Sequence, residues 1–152
     1  MSIELSSLDC LLKELTSTWH KTIPLSEFMQ VSADEYDEYQ LSVSAPLAPN
    51  INLHQTMFAG SIYTLMTLTG WGVIWLQQKQ QQVTGDIVLA KADVRYIAPI
   101  NERPKAVVTW PNIDLSVLEK GHRVKCKLLV ELYCNDKLCA SFEGVYITTP
   151  RK

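Results

Sequence analysis

The sequence predicts one α+β domain in which a curved antiparallel sheet of five to six strands wraps around a single long helix. Three observations predict it. Residues 56 to 76, TMFAGSIYTLMTLTGWGVIWL, form an almost unbroken apolar or small run. Downstream of that run the chain alternates apolar and polar residues with the period of strands. No repeat or linker divides the 152 residues, a length that one core can serve. A helix apolar on every side is stable in water only when its own protein encloses it.

The first element is an amphipathic helix at about 6–20, with Leu8, Leu11, Leu12, Leu15 and Trp19 on one face and Ser6 and Asp9 spaced as a capping pair. After Ile23-Pro24, alternation predicts two short strands, one around Phe28 to Val31 and one at Tyr39, Leu41 and Val43. Pro46 and Pro49 prevent the second from continuing. The central helix follows at about 58–79. At ~1.5 Å per residue its apolar run is just long enough to cross a bilayer. Ser61, Thr64, Thr67 and Thr69 interrupt it, however, and the following QQKQQQ offers a single cation, so an interior helix is the better reading. Gly60, Gly70 and Gly72 each cost about 1 kcal/mol of helix propensity, which predicts close approach of strands or a second helix there.

In the second half, Val88, Ala90, Ala92, Val94 and Tyr96 are expected on the inner face of a long strand, opposite Lys91, Asp93 and Arg95, with Pro99 ending it. Val107, Thr109 and the flanking Trp110 predict another strand, and Val124, Cys126, Leu128, Val130 and Leu132 the next. Asn135-Asp136 predicts a tight hairpin into a last strand carrying Leu138, Ala140 and Phe142. One helix cannot cover all the apolar surface of such a sheet, so a second copy of the chain is the expected cover: a two-fold dimer, open to pairing into a dimer of dimers.

The 14 basic and 16 acidic residues leave a formal charge of −2 without long runs of one sign, which gives no footprint for nucleic acid or an anionic membrane. Cys10, Cys126, Cys134 and Cys139 show neither CxxC nor histidine at zinc-finger spacing, so structural thiols in a reducing cytoplasm, with no metal, are expected. The N-terminus lacks the basic-then-apolar layout of a signal peptide.

The order strand, loop, long apolar helix and antiparallel strands resembles the hot-dog superfamily of thioesterases and dehydratases. Two local words carry the likeness: Asn52-Leu53-His54-Gln55-Thr56-Met57-Phe58-Ala59-Gly60-Ser61 at the helix entry, and Arg95-Tyr96-Ile97-Ala98-Pro99-Ile100 at a strand end. More narrowly, TMFAGSIY followed by LTGW is similar to the thioesterase domain at the C-terminus of YiiD-type proteins, over roughly residues 20 to 150. There it follows an acetyltransferase-like domain that is not expected here. The resemblance implies a hot-dog fold and a thioester substrate, either acyl-CoA or an acyl carrier protein. Coenzyme A or phosphopantetheine then enters as part of the substrate, and no cofactor is needed.

Thioester hydrolysis needs donors for an oxyanion and a base for water. The helix start supplies free N–H groups and the positive dipole end, so Ala59 or Gly60 is the expected donor. Small side chains there also suit ordinary close packing. His54 is the one histidine near the helix start and is the candidate general base. Asn52, with Asn50 as a weaker duplicate, could orient water or hold the carbonyl, although asparagines in such a loop often satisfy their own backbone. Many hot-dog thioesterases carry an acid about two turns into the helix, and the matching position here is Thr67, which can only position a water. No Asp or Glu lies between Glu38 and Asp86. Met57, Phe58, Ile62, Tyr63 and Met66 recur at helical spacing and could line an acyl slot, or form plain core. Arg95 and Lys91 are candidates for coenzyme A phosphates, and an Asp93–Arg95 surface pair is the competing expectation. The expected activity is therefore an acyl thioesterase. The alternative is a non-catalytic module binding an acyl or other apolar ligand, and a dehydratase fits least.

Overall fold

The apolar run folds as α3 (Ala59–Gln81), two residues longer at its end than expected. The computed structural model describes residues 5–151, with the side chains of residues 5 and 6, and so the capping role expected of Ser6, outside the described residues. Around α3 lie α1 (Leu5–Thr22), α2 (Pro24–Met29), β1 (Ser32–Tyr36), β2 (Gln40–Ser44), β3 (Gly85–Tyr96), β4 (Lys105–Thr109), β5 (Val124–Cys134) and β6 (Lys137–Pro150). The strands form one curved, wholly antiparallel sheet in the order β1-β2-β4-β5-β6-β3. The core lies between that sheet and α3, and α1 adds Leu8, Leu12, Leu15 and Trp19 to it, the face its periodicity predicts.

Pro24 begins a helix where alternation predicted a strand. Proline is pre-organised for the first helical turn, Ser26 and Met29 turn inward, and Gln30 ends the turn in a left-handed conformation at φ 60°. Phe28, expected in a strand, points to solvent at 71% exposure. The β5–β6 hairpin is as predicted: Asn135 and Asp136 both take positive φ, 51° and 63°, the type I′ geometry that matches strand twist.

Gly70 and Gly72 mark close approaches. A β-carbon at Gly70 would strike the Tyr146 ring from β6, and one at Gly72 would lie 2.8 Å from Trp19 of α1. Gly60 differs from expectation, because the neighbour that a β-carbon would meet is the ring of Phe58, two residues back. The register of β3 also differs. A bulge between Leu89 and Lys91 turns Val88 and Ala90 outward and gives the inner face to Ile87, Leu89, Ala92 and Val94, since one inserted residue flips the parity of all that precede it.

The glutamine tract is a clamp. Gln77 Nε2 donates to the Tyr36 hydroxyl at 2.8 Å and the Glu38 carbonyl at 2.7 Å, and Tyr36 in turn donates to Gln80 Oε1. Gln78 Nε2 donates to Thr148 Oγ1 at 2.7 Å, and Gln81 Oε1 accepts the Leu115 N–H at 2.8 Å. The one cation, Lys79, pairs with Glu14 of α1 at 3.2 Å and sits 4.9 Å from the Trp75 ring. Gln78 and Thr148 are both buried. Gln78→Ala is expected to lower stability by about 1–3 kcal/mol in urea unfolding, the cost of a buried hydroxyl left without its partner. Burial also raises the Tyr36 and Tyr146 hydroxyls above the ordinary phenol value.

The two rims of the sheet are unlike. Along β1, Thr16 Oγ1 accepts the Ala33 N–H at 3.0 Å and His20 donates to the Val31 carbonyl at 2.8 Å, so α1 occupies backbone groups that a strand would otherwise seek. β3, twelve residues long, has no second strand partner among the described residues. α3 is also not enclosed on every side: Tyr63, Thr67, Trp71 and Trp75, spaced by four, form a half-buried stripe. Among the described residues, no helix is long and apolar enough to cross a membrane.

Candidate active site

The segment entering α3 is folded by Asn52. Its Oδ1 accepts the His54 N–H at 2.8 Å and the Thr56 N–H at 3.3 Å, and its Nδ2 donates to Thr56 Oγ1 at 3.0 Å. Gln55 then takes a φ of 63°. Asn50 is buried and structural, its Nδ2 donating to the Met29 and Pro46 carbonyls at 3.0 and 2.9 Å. The Phe58 N–H donates to the Asn50 carbonyl at 2.8 Å, and the Met57 N–H to the Ile100 carbonyl at 2.8 Å. The tip of α3 is thereby fixed against the turn after β3.

Among the described residues, no side chain caps α3. Phe58 stands at the N-cap with φ −61° and ψ 136° and makes no side-chain bond to the first turn. The amides of Ala59, Gly60 and Ser61 have no intrahelical acceptor, as in any first turn. Beside them opens a recess of about 300 Å³ lined by Asn52, Met57, Ala59, Ile62 and the 96–100 segment. Tyr96, the last residue of β3, donates its hydroxyl to the Ala59 carbonyl at 3.2 Å.

Of the expected site residues, the structure brings Asn52, Met57, Ala59 and Ile62 together at this recess. His54 is exposed in the adjoining loop, and its ring makes no hydrogen bond within the described residues. Phe58, 54% exposed, lies over Gly60. Tyr63, 37% exposed, stands edge-on to Phe142 with centroids 5.8 Å apart, and Met66 is core. Thr67 donates to the Tyr63 carbonyl at 2.8 Å and lies about 12 Å down the helix axis from Ala59, at 1.5 Å per residue.

Arg95 opens on the outer face of β3 beside Asp93, Ser141 and Glu143, where two carboxylates offset the charge that a phosphate would meet. Lys91 is exposed on the same strand. The expected Asp93–Arg95 ion pair is absent among the described residues, and Asp86 pairs instead with Arg151 at 3.0 Å. Cys126, Cys134 and Cys139 are buried free thiols, whereas Cys10 is exposed. Burial pushes Cys126 up to about 11, so it stays a thiol near neutral pH and has little nucleophilic character. Among the described residues, no cluster of His, Cys, Asp and Glu could hold a metal ion. The sequence puts Tyr96 on a strand face and in the strand-end word of the resemblance, and carries no signal for its contact with the helix tip.

A family described as "Putative thioesterase (yiiD_Cterm)" matches residues 12–150. A putative thioesterase from Shewanella oneidensis is similar at 58% identity and a TM-score of 0.91, over 93% of this chain and 99% of that one. A protein of unknown function from Chlorobaculum tepidum matches at 27% identity and a TM-score of 0.86, over 95% and 97% of the two chains. A thioesterase from Haemophilus influenzae shares 11% identity at a TM-score of 0.72, over 90% and 88%, a likeness of fold alone. The six-stranded sheet wrapped on a long helix is the hot-dog fold.

Proposed function

The chain belongs to the putative thioesterase (yiiD_Cterm) family, and from that premise we propose that it hydrolyses acyl thioesters of coenzyme A or of an acyl carrier protein. The observation that carries the reading is the uncapped first turn of α3 opening on the recess beside it. A thioester carbonyl seated there points its oxygen at the amide of Ala59 or Gly60, and the dipole end of a six-turn helix favours the negative charge that develops. His54 takes a proton from water as the water oxygen attacks the carbonyl carbon. Collapse of the tetrahedral adduct breaks the carbon–sulfur bond and releases a carboxylic acid, which ionises to solvent, and a thiolate, which takes up the proton held by His54. Asn52 holds the loop that presents His54, through the backbone bond at 2.8 Å. The apolar group lies against Met57 and Ile62.

The assembly we propose is a homodimer. The unpaired rim of β3 and the half-buried stripe of Tyr63, Thr67, Trp71 and Trp75 on α3 support it: both are surfaces that a second copy would cover. Thr67 belongs to that stripe rather than to the recess of its own chain.

A panel of acyl-CoA substrates with a thiol-detecting dye tests the activity. Turnover above background is expected, falling by about 10²-fold in His54→Ala, the lower end of what a positioned base contributes. One observation favours a second reading, an acyl-binding module without turnover: α3 carries no carboxylate. Thermal stabilisation by fatty acids without thiol release from any substrate would select it.

A further inference from the structure

The recess beside α3 is lined by residues of the core and by residues at the surface. Met57, Ile62 and Ile100 are 3%, 6% and 0% exposed, so they are held by the core around them. Tyr96 is 52% exposed, and its place follows from the register of β3. Antiparallel partners point to the same face, and Tyr96 is paired with Ala140, as Val94 is with Phe142 and Ala92 with Gly144. Ala140 is fully buried, so the pairing puts Tyr96 on the inner face of the sheet at its edge. Tyr96 lines the recess on the β3 side, and its hydroxyl is fastened to the Ala59 carbonyl at 3.2 Å. That bond is longer than the usual 2.7–2.8 Å or so of a hydroxyl donor, and it is exposed to water, so it ties the ring loosely.

We infer that Tyr96 sets the size of the acyl group this chain accepts, acting as the wall that limits the recess to short or compact acyl chains; this rests on the thioester reading above. A volume of about 300 Å³ is at the lower limit of small-molecule sites, which suits a short chain. Cutting the ring away removes the side chain that bounds the recess next to Ala59 and leaves room there for a longer chain. Removing only the hydroxyl leaves the wall standing.

The test is a chain-length profile of kcat/KM on straight-chain acyl-CoAs from acetyl to dodecanoyl, for wild type, Tyr96→Phe and Tyr96→Ala. Wild type and Tyr96→Phe are expected to favour the short end in the same order. Tyr96→Ala is expected to raise the dodecanoyl to butanoyl ratio by about tenfold, the scale on which apolar pockets discriminate. A uniform loss across the series in Tyr96→Ala, or an unchanged profile, overturns the inference, because a purely structural tyrosine would not alter the order of substrates. If wild type turns over none of them, the thioesterase reading fails separately. The wall is then read from thermal shifts with fatty acids of the same lengths, and Tyr96→Ala must still move the preference toward longer chains or the inference falls.

Discussion

Ala59→Pro is expected to fold like the wild type and to lose about 10²–10³-fold in kcat, the range measured when one oxyanion donor is removed elsewhere. The substitution is unusually clean at this position. Ala59 is the first helical residue after the N-cap Phe58, the place where proline is best tolerated because the missing N–H has no helical acceptor. A residue before proline must be extended, and Phe58 already is, with ψ at 136°. Thus the ring costs the helix nothing while deleting the proposed donor. Ala59→Ser, which keeps the N–H, controls for side-chain bulk in the recess. Steady-state kinetics beside a thermal melt read the outcome: an unchanged kcat in a folded Ala59→Pro protein would rule out the Ala59 amide and leave Gly60 as the donor.

The second large effect is one of packing. Gly70→Ala should destabilise the protein by about 2 kcal/mol, even though alanine is the better helix former by about 1 kcal/mol. The reason is Tyr146: the new methyl would overlap its hydroxyl and lie 2.7 Å from its Cε1 and Cζ, and the ring is fully buried. That hydroxyl donates to the Thr67 carbonyl at 2.7 Å, so the ring cannot withdraw without giving up its bond. Tyr146→Phe removes the atom of worst overlap. The double variant should therefore be more stable than the two single losses predict, by about 1 kcal/mol of coupling in urea unfolding. Strict additivity would show that Gly70 and Tyr146 do not meet.

How much of this was legible in the sequence depends on how local each signal is. The length and apolar character of α3, the alternation of β5 and the Asn135-Asp136 hairpin are properties of neighbouring residues, and all three appear as read. The face of β3 was not legible in the same way. Ile87 and Leu89 are as apolar as Val88 and Ala90, so both parities were plausible, and only pairing with β6 reveals the bulge that selects one. The chain at Pro24–Met29 differs from the strand expected around Phe28 to Val31: Phe28, Met29 and Val31 look like strand, while Pro24, pre-organised for a first helical turn, was the signal for a helix.

For the site, the loop from Asn52 to Gly60 could be picked out because its resemblance is carried by contiguous residues. Tyr96 lies in the second of the two words that carry the resemblance, but its role could not be read there, since it depends on a contact with a residue 37 positions away. Its parity with Ala92 and Val94, which put it on the inner face, was the available clue. Asp93 and Arg95 share a face as expected, yet proximity on a strand did not make them a pair: the ion pairs that form among the described residues are Lys79–Glu14, Lys105–Glu35 and Arg151–Asp86.

The unlike rims of the sheet bear on how many copies can join. A particle with two sticky ends polymerises without limit, whereas a particle with one can only be consumed in pairs. Here Thr16 and His20 stop one end by answering the backbone of residues 31 and 33, and the residues after it, Asp34 and Glu35, add charge where a neighbour would dock. The first helix thus acts as a chain stopper: if copies join along the β3 end as proposed above, that contact is self-terminating at two, and filament growth by it is closed off by geometry rather than by weak affinity.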